Sequence, residues 1–418
     1  MSLNHKIVHI STSTRGGAGI AAYRIHLALL DKGINSFFLS SDNEYEIKHC
    51  SQTPIFRYSF KQKVLNKIKW YLKKYFNIIL DKRQYFNERL SRMNLDLNCE
   101  IATLPFSEYD VLKHPAVQNA DIIHLHWVAG MLDYPSFFKY NTKRVIWTLH
   151  DMNPFQGLFH YEEDEIRNEA ISSRLNKSVI RIKQRAIKSS KHAVTIVCPS
   201  QWLFDRALQS NFFKGSGVNC IANSLDMNSF YPLKKKTLRT AMNIPSGNCI
   251  FLFISQSIKN YRKGFDLLIE ALLKIKEQPI TILVIGENDS INIPGLDIKM
   301  LGTINNQETL REYYSVADTF IITSREDNLP NVMLEAMACG TPVLSFNIGG
   351  MSTIIKDGFN GLKATELSAD CLAKIMVDFI GMKDQFSSSE IRKFAIDNFS
   401  NEVIAREYLQ LYNKVLKS

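Results

Sequence analysis

The cysteines of this chain form no pattern. Seven are scattered through 418 residues, and no Cys-x-x-Cys pair occurs. A zinc ribbon or a disulfide framework is therefore not expected, and a reducing cytoplasm fits. Long apolar runs are missing too. Nothing approaches the ~20 apolar residues that would cross a bilayer, and the opening MSLNHKIVHIS has no apolar signal core. Acidic residues are the scarcer charge: 41 against 51 Lys and Arg, a formal net charge of +10. That balance points to an anionic partner such as a nucleotide, a phospholipid or nucleic acid. At 45% hydrophobic and 22% charged the composition is that of a globular protein. The length exceeds one usual core, so two domains are expected.

The most informative stretch runs from Ser324 to Pro342. Before it, Thr319-Phe320-Ile321-Ile322-Thr323 reads as a buried parallel strand. Pro330 suits the first turn of a helix, Gly340 its C-terminal cap, and Pro342 stops continuation. Val343-Leu344-Ser345-Phe346 is the next strand. Glu326, Asp327 and Glu335 fall on the loop and the helix. In open α/β sheets ligands sit beyond the carboxyl ends of the strands. A helix N-terminus favours phosphate, and a carboxylate can accept two hydrogen bonds from a diol. Asp327 and Glu335 could thus hold two diols flanking a diphosphate, the layout of a nucleotide sugar.

The stretch resembles the Glu-x7-Glu signature of glycosyltransferase family 4. The variant reads (Glu/Asp)-Asn-Leu-Pro-Asn, then Leu-Glu-Ala-Met-Ala-x-Gly-Thr-Pro-Val. Counted back from Glu335, the first acidic position is Asp327, so this chain has Asp where the general signature has Glu. The resemblance implies that Glu335 binds the nucleotide ribose and Asp327 the donor sugar. Asn328, Leu329, Pro330, Asn331 and Val332 would complete the donor loop. No isolated Asp-x-Asp follows a strand, so no metal requirement is expected.

The N-terminal half opens with a strand, Lys6 to Ser11, a loop, Thr12 to Gly19, and a helix from about Ile20 to Lys32. Gly17-x-Gly19-x-x-Ala22 fits a loose dinucleotide fingerprint, with Asp42 near the expected acid, so an NAD-dependent enzyme is an alternative. Against it, five residues separate the strand from the first useful glycine. In the family reading Gly16 and Gly17 let backbone approach the diphosphate and acceptor. Phe56 to Arg92 reads as a basic amphipathic helix. It either adsorbs to an anionic membrane surface or packs on its own domain with lysines in solvent. No nucleic-acid module accompanies it, so no such partner is expected.

Further on, strand-end histidines are expected to face a cleft. His124 reads as a hydrogen-bonded core residue. His150, beside Asp151, reads as functional, able to donate to a sugar hydroxyl or leaving group. His150-Asp151-Met152-Asn153-Pro154-Phe155 and His160-Tyr161 resemble a polysaccharide-biosynthesis subgroup of the family. The acidic run Glu162 to Glu165 reads as a solvated helix start. The second domain restarts with a strand, Cys249 to Ser255, and a loop leading to Arg262-Lys263-Gly264. The resemblance implies that Lys263 and an upstream Arg clamp the donor diphosphate; the Arg position falls near Ser257 in this chain, and Arg262 or Lys259 would take its place. Gly349-Gly350 would turn into another helix whose amides could reach the donor.

The expected fold is α/β, with two facing Rossmann-like domains and an interdomain cleft, the GT-B arrangement. Residues 1–230 would form the acceptor side with a basic insertion at about 55–95. Residues 231–395 would bind the donor, and 396–418 would be a helix packing back across the domains. The implied reaction is metal-independent, retaining transfer from a UDP- or GDP-sugar to a saccharide hydroxyl, with a lipid-linked acceptor in surface polysaccharide synthesis. No cofactor beyond the donor is expected. The expected location is the cytoplasm, including the inner face of the membrane. A weak or inactive binding protein is the remaining alternative.

Overall fold

The computed structural model describes residues 5–42, 50–52, 64, 67–69, 71–72, 75, 82–244, 247–287 and 291–417. The chain divides into two compact units. Unit one holds residues 1–198, 204–219 and 410–418; unit two holds 199–203 and 220–409. The C-terminal helix Asn401–Lys417 is thus shared between them.

Unit one is built on a seven-stranded sheet. Its strands are β1 (Lys6–Ser11), β2 (Asn35–Ser40), β3 (Cys50–Gln52), β4 (Ile122–Leu125), β5 (Arg144–Thr148), β6 (Thr195–Cys198) and β7 (Val218–Cys220), in the order β3-β2-β1-β4-β5-β6-β7. Pairings from β3 through β6 are parallel. Unit two has six strands: β8 (Cys249–Ile254), β9 (Ile280–Ile285), β10 (Asp297–Met300), β11 (Thr319–Ile322), β12 (Val343–Phe346) and β13 (Gly361–Ala364). Their order is β10-β9-β8-β11-β12-β13, all parallel.

Unit two shows why its strands are apolar throughout. Ile250 and Leu252 of β8 pack into one core, with Leu283, Phe320 and Val343. Cys249, Phe251 and Phe253 pack into the other, with Ile282, Ile321 and Leu344. Alternate residues face opposite sides, and both sides are covered, so near-continuous apolar runs result.

In each unit the strand order reverses once, between β1 and β4 and between β8 and β11. Loops leaving such neighbours diverge, and ligands bind at the opening. Arg262 and Lys263 follow β8, and Asp327 follows β11. In unit one, Gly16 and Gly17 follow β1, and His126 follows β4.

Three expectations are corrected here. The glycine loop is shorter than read, because the first helix is Gly16–Asp31. Gly16 and Gly17 form its first turn, where no intrahelical N–H bond is yet required and glycine is tolerated. Pro330 is the N-cap, one place ahead of the helix Asn331–Ala338. The acidic run does begin a helix, Glu162–Arg167, but Asp164 is buried. It pairs with Arg167 at 2.7 Å and accepts the Glu100 N–H.

Most of the basic stretch 56–92 lies outside the described residues. Its described end belongs to the helix Lys82–Met93. There Arg83 pairs with Asp133 at 2.9 Å, and Phe86 packs with Leu158, Phe159, Leu175 and Val179.

Candidate functional site

The cations of unit two sit on a tight turn. Tyr261–Lys263 is a short 3-10 turn, and the Asn260 side chain accepts the Arg262 N–H at 3.0 Å. Gly264 ends it with φ +65°, and a Cβ there would lie 2.0 Å from the Thr323 carbonyl oxygen. Only glycine lets the turn press so close to the end of β11. As a result Lys263 Nζ donates to Asp327 Oδ2 at 2.7 Å, and Arg262 Nη1 lies 3.3 Å from the same oxygen. Arg262 also donates to the Glu326 carbonyl at 3.1 Å. Asp327 Oδ1 accepts the Asn328 N–H at 3.1 Å. Burial alone would raise the Asp327 carboxyl, but Lys263 and Arg262 overcome it and hold the group below its ordinary value. A small pocket opens between Lys263, Ser324, Asp327, Pro330 and Val332.

The donor loop is strapped to its own unit. Asn223 Nδ2 donates to Leu329 O at 3.2 Å and to Asn331 Oδ1 at 3.1 Å. Ser200 Oγ donates to Asn328 Oδ1 at 2.6 Å, and Leu329 packs into the core. The side chains of Asn328, Leu329 and Asn331 therefore shape the loop. Glu335 lies further along the helix, buried, and accepts the Tyr314 hydroxyl at 2.9 Å. Tyr314 is itself fixed by the Thr341 hydroxyl, which donates to its carbonyl at 2.6 Å. Gly349-Gly350 packs against the donor loop. Gly350 N–H donates to Asp327 O at 3.2 Å, and a Cβ at Gly349 would lie 2.0 Å from that oxygen. The helix after it, Met351–Ile354, has only four residues.

In unit one, the Asp151 side chain is engaged by other residues. Its Oδ2 accepts His160 Nδ1–H at 2.6 Å and Trp127 Nε1–H at 2.9 Å, and its Oδ1 accepts the Asn153 N–H at 2.9 Å. Burial would raise this carboxyl, but His160 and these bonds hold it low. The residue beneath the loop is Lys183, from the helix Glu169–Lys188. Its Nζ donates to Asn153 O, Asn153 Oδ1 and Gly157 O at 2.6, 2.9 and 2.7 Å. His150 is half-buried, with Nε2 3.3 Å from His126 Nδ1. His124 is a core residue as expected, with Tyr412 OH and Thr148 Oγ1 each 2.8 Å from its ring nitrogens. Among the described residues, His9, His124 and His126 bring possible metal-ligating nitrogens within 4.8 Å of one another. Hydrogen bonds already engage both nitrogens of His124 and of His126. Gly16 and Gly17 lie exposed at their helix start, and Asp42 accepts the Ser13 hydroxyl at 2.8 Å.

Burial keeps these histidines neutral. It lowers His9 and His126 well below the ordinary value, His124 to about 3 and His150 to about 4. The unfolded chain takes up protons at about pH 6.5, where the folded chain does not. Stability should therefore be full above that pH and fall as pH drops from ~6.5 toward ~4. Each histidine contributes ~1.4 kcal/mol per pH unit to the loss. Denaturant midpoints at pH 7.5, 6 and 5 check this; a constant midpoint would mean that the folded histidines titrate normally.

Residues 248–381, which include all six strands of the unit-two sheet, match the family model for glycosyl transferases group 1. That segment is thus similar to a glycosyl transferase domain, and the curated relatives that the chain resembles are named glycosyltransferases. The chain is 27% identical to the lipopolysaccharide core biosynthesis glycosyltransferase LpsE of Rhizobium meliloti, over 41% of this chain and 52% of that protein. It is 23% identical to the N,N'-diacetylbacillosaminyl-diphospho-undecaprenol alpha-1,3-N-acetylgalactosaminyltransferase of Campylobacter jejuni, over 56% of this chain and 65% of that one. The chain spans about half the length of the first curated relatives that it matches. In fold it is similar to Anabaena HepE, solved with UDP and glucose: TM-score 0.64, 15% identity, 98% of this chain and 100% of the other. The two α/β units are thus those of a GT-B protein. No oxidoreductase reading finds support among these glycosyltransferases.

Proposed function

We propose that this protein moves a glycosyl group from a nucleoside-diphosphate sugar to a saccharide hydroxyl, with retention, in surface polysaccharide assembly. The observation that carries the reading is the convergence of Lys263 and Arg262 on Asp327 beside the pocket at Pro330, within the family-matched segment. A diphosphate arriving there would take over the lysine and arginine that Asp327 now holds. Those cations would stabilise the leaving group without a metal. The N-terminal amides of Asn331–Ala338 would add partial positive charge, and Glu335, oriented by Tyr314, would accept the ribose diol. Asp327, once released, is placed for the donor sugar. His150, neutral at working pH, would donate a hydrogen bond to a sugar hydroxyl or a phosphate oxygen. UDP is the first nucleotide to test, since HepE was solved with it. A lipid-linked acceptor is favoured by the name of the Campylobacter relative. No described helix is long and apolar enough to cross a membrane; contact with an anionic membrane is the proposed role of the basic stretch.

Thermal shift with UDP, GDP, ADP and NAD, in EDTA, tests the donor site. One nucleoside diphosphate at a hundredfold its Kd should stabilise unit two by about 2.7 kcal/mol, a rise of several degrees. Glu335→Ala should lose most of that rise. His150→Ala should keep it while lowering turnover with the matching sugar nucleotide. A rise with NAD alone, or an unchanged rise in Glu335→Ala, would overturn the assignment.

A further inference from the structure

Three histidines in unit one stand in line. His9 is in β1, His126 follows β4, and His150 follows β5, on adjacent strands of the sheet. His9 Nδ1 is 2.9 Å from His126 Nε2, and His126 Nδ1 is 3.3 Å from His150 Nε2. Ring centroids are 5.2 and 5.5 Å apart at interplanar angles of 20° and 28°. Rings at these separations meet edge to edge, with nitrogen facing nitrogen. His9 is fully buried and His126 nearly so. Among the described residues, the far nitrogen of His9, Nε2, has no hydrogen-bond partner.

A neutral imidazole carries one N–H and one lone pair. Each link needs one donor and one acceptor, so the three protons move together. Either all three rings are protonated at Nδ1 or all three at Nε2. The two states differ at the buried end. The Nε2–H state would place an N–H on His9 with nothing to accept it, and orphaned buried N–H groups are rare and costly. The Nδ1–H state leaves only a bare lone pair there.

We propose that His9 and His126 are positioning residues that hold His150 in the Nδ1–H tautomer, so that His150 presents Nδ1 as a hydrogen-bond donor. What it donates to, a hydroxyl or phosphate oxygen of the sugar donor, rests on the function proposed above. The tautomer does not. His124 lies against the line, its ring centroid 4.2 Å from that of His126. Its own nitrogens face Tyr412 and Thr148, so it packs the line without joining it. Burial keeps all these rings neutral at pH 7.

Long-range nitrogen–proton NMR at pH 7.5 reads the tautomer of each ring directly, with assignment by single substitution to Gln. The wild type should show His9, His126 and His150 all protonated at Nδ1. His126→Phe should release His150 to a mixture of tautomers. In a transfer assay it should lower kcat about 10- to 100-fold, by analogy with the loss when a partner orienting a metal-ligating histidine is removed, with the donor KM unchanged. Nε2–H on His150 in the wild type would overturn the inference, and that spectrum needs no variant to fold. Nδ1–H on His150 in a protein that transfers no sugar would keep this inference and refute the proposed function. Nε2–H in an active transferase would do the reverse.

Discussion

Lys263→Ala should lower glycosyl transfer by about 10²–10³-fold, the loss seen when one preorganised donor to a developing anion is removed. The lysine side chain is a quarter exposed, and it lines the pocket together with Asp327. Arg262 is almost fully buried and shares its guanidinium with the Glu326 carbonyl. Of the two, Lys263 can therefore follow a phosphate without unpicking the loop. The fold should survive the change, because Asp327 keeps Arg262 and the Asn328 amide. Lys263→Arg should recover part of the rate, since charge returns but not the compact point charge on a flexible stem. Initial rates with the nucleotide sugar that shifts the melting curve are the measurement. A rate within threefold of wild type would mean that the diphosphate does not meet Lys263.

The same lysine shows what sequence can reveal. Its place before a glycine and a helix is a local pattern, and so is the Pro330 to Gly340 frame. Gly340 does take the left-handed turn, at φ +72°. Local punctuation of that kind placed β1 and β12 at their observed ends. Chemistry that depends on pairing across the chain stayed hidden. Asp151 stands next to His150 in sequence, yet its partner is His160, nine residues on. Tyr314 lies 21 residues before Glu335, and only the fold brings its hydroxyl to that carboxylate. Asp164 sits in an acidic run that reads as solvated, yet Arg167 and the Glu100 amide claim it. β10 and β13 are as short as β11 and β12, but they are only partly buried, so no continuous apolar run marks them. The line of three histidines is the extreme case. The residues lie 117 and 24 positions apart, and no local rule joins them.

Lys183 is a lysine whose importance no spacing announced, and Lys183→Ala should destabilise the protein by about 3–5 kcal/mol. Two terms add. Three oxygens, Asn153 O, Asn153 Oδ1 and Gly157 O, lose their donor in a buried place, at about 1–3 kcal/mol for each one left unsatisfied. A cavity of most of a lysine side chain is also left, typically worth about 2–5 kcal/mol. Relief from burying a cation offsets part of the sum. Lys183→Met fills the space and removes only the donors, so it should cost about half as much. Burial also lowers the lysine to about 7, against about 10.4 in the unfolded chain. Between those values the unfolded state holds the proton more firmly. Wild-type stability should then gain ~1.4 kcal/mol per unit as pH rises through that window, a gain absent in Lys183→Met. Chemical unfolding of both proteins at pH 7, 8 and 9 separates the alternatives. If the gap between them stays constant, the three oxygens hold the ammonium at its ordinary value. If alanine costs less than about 1 kcal/mol, the loop from Asp151 to His160 stands without Lys183.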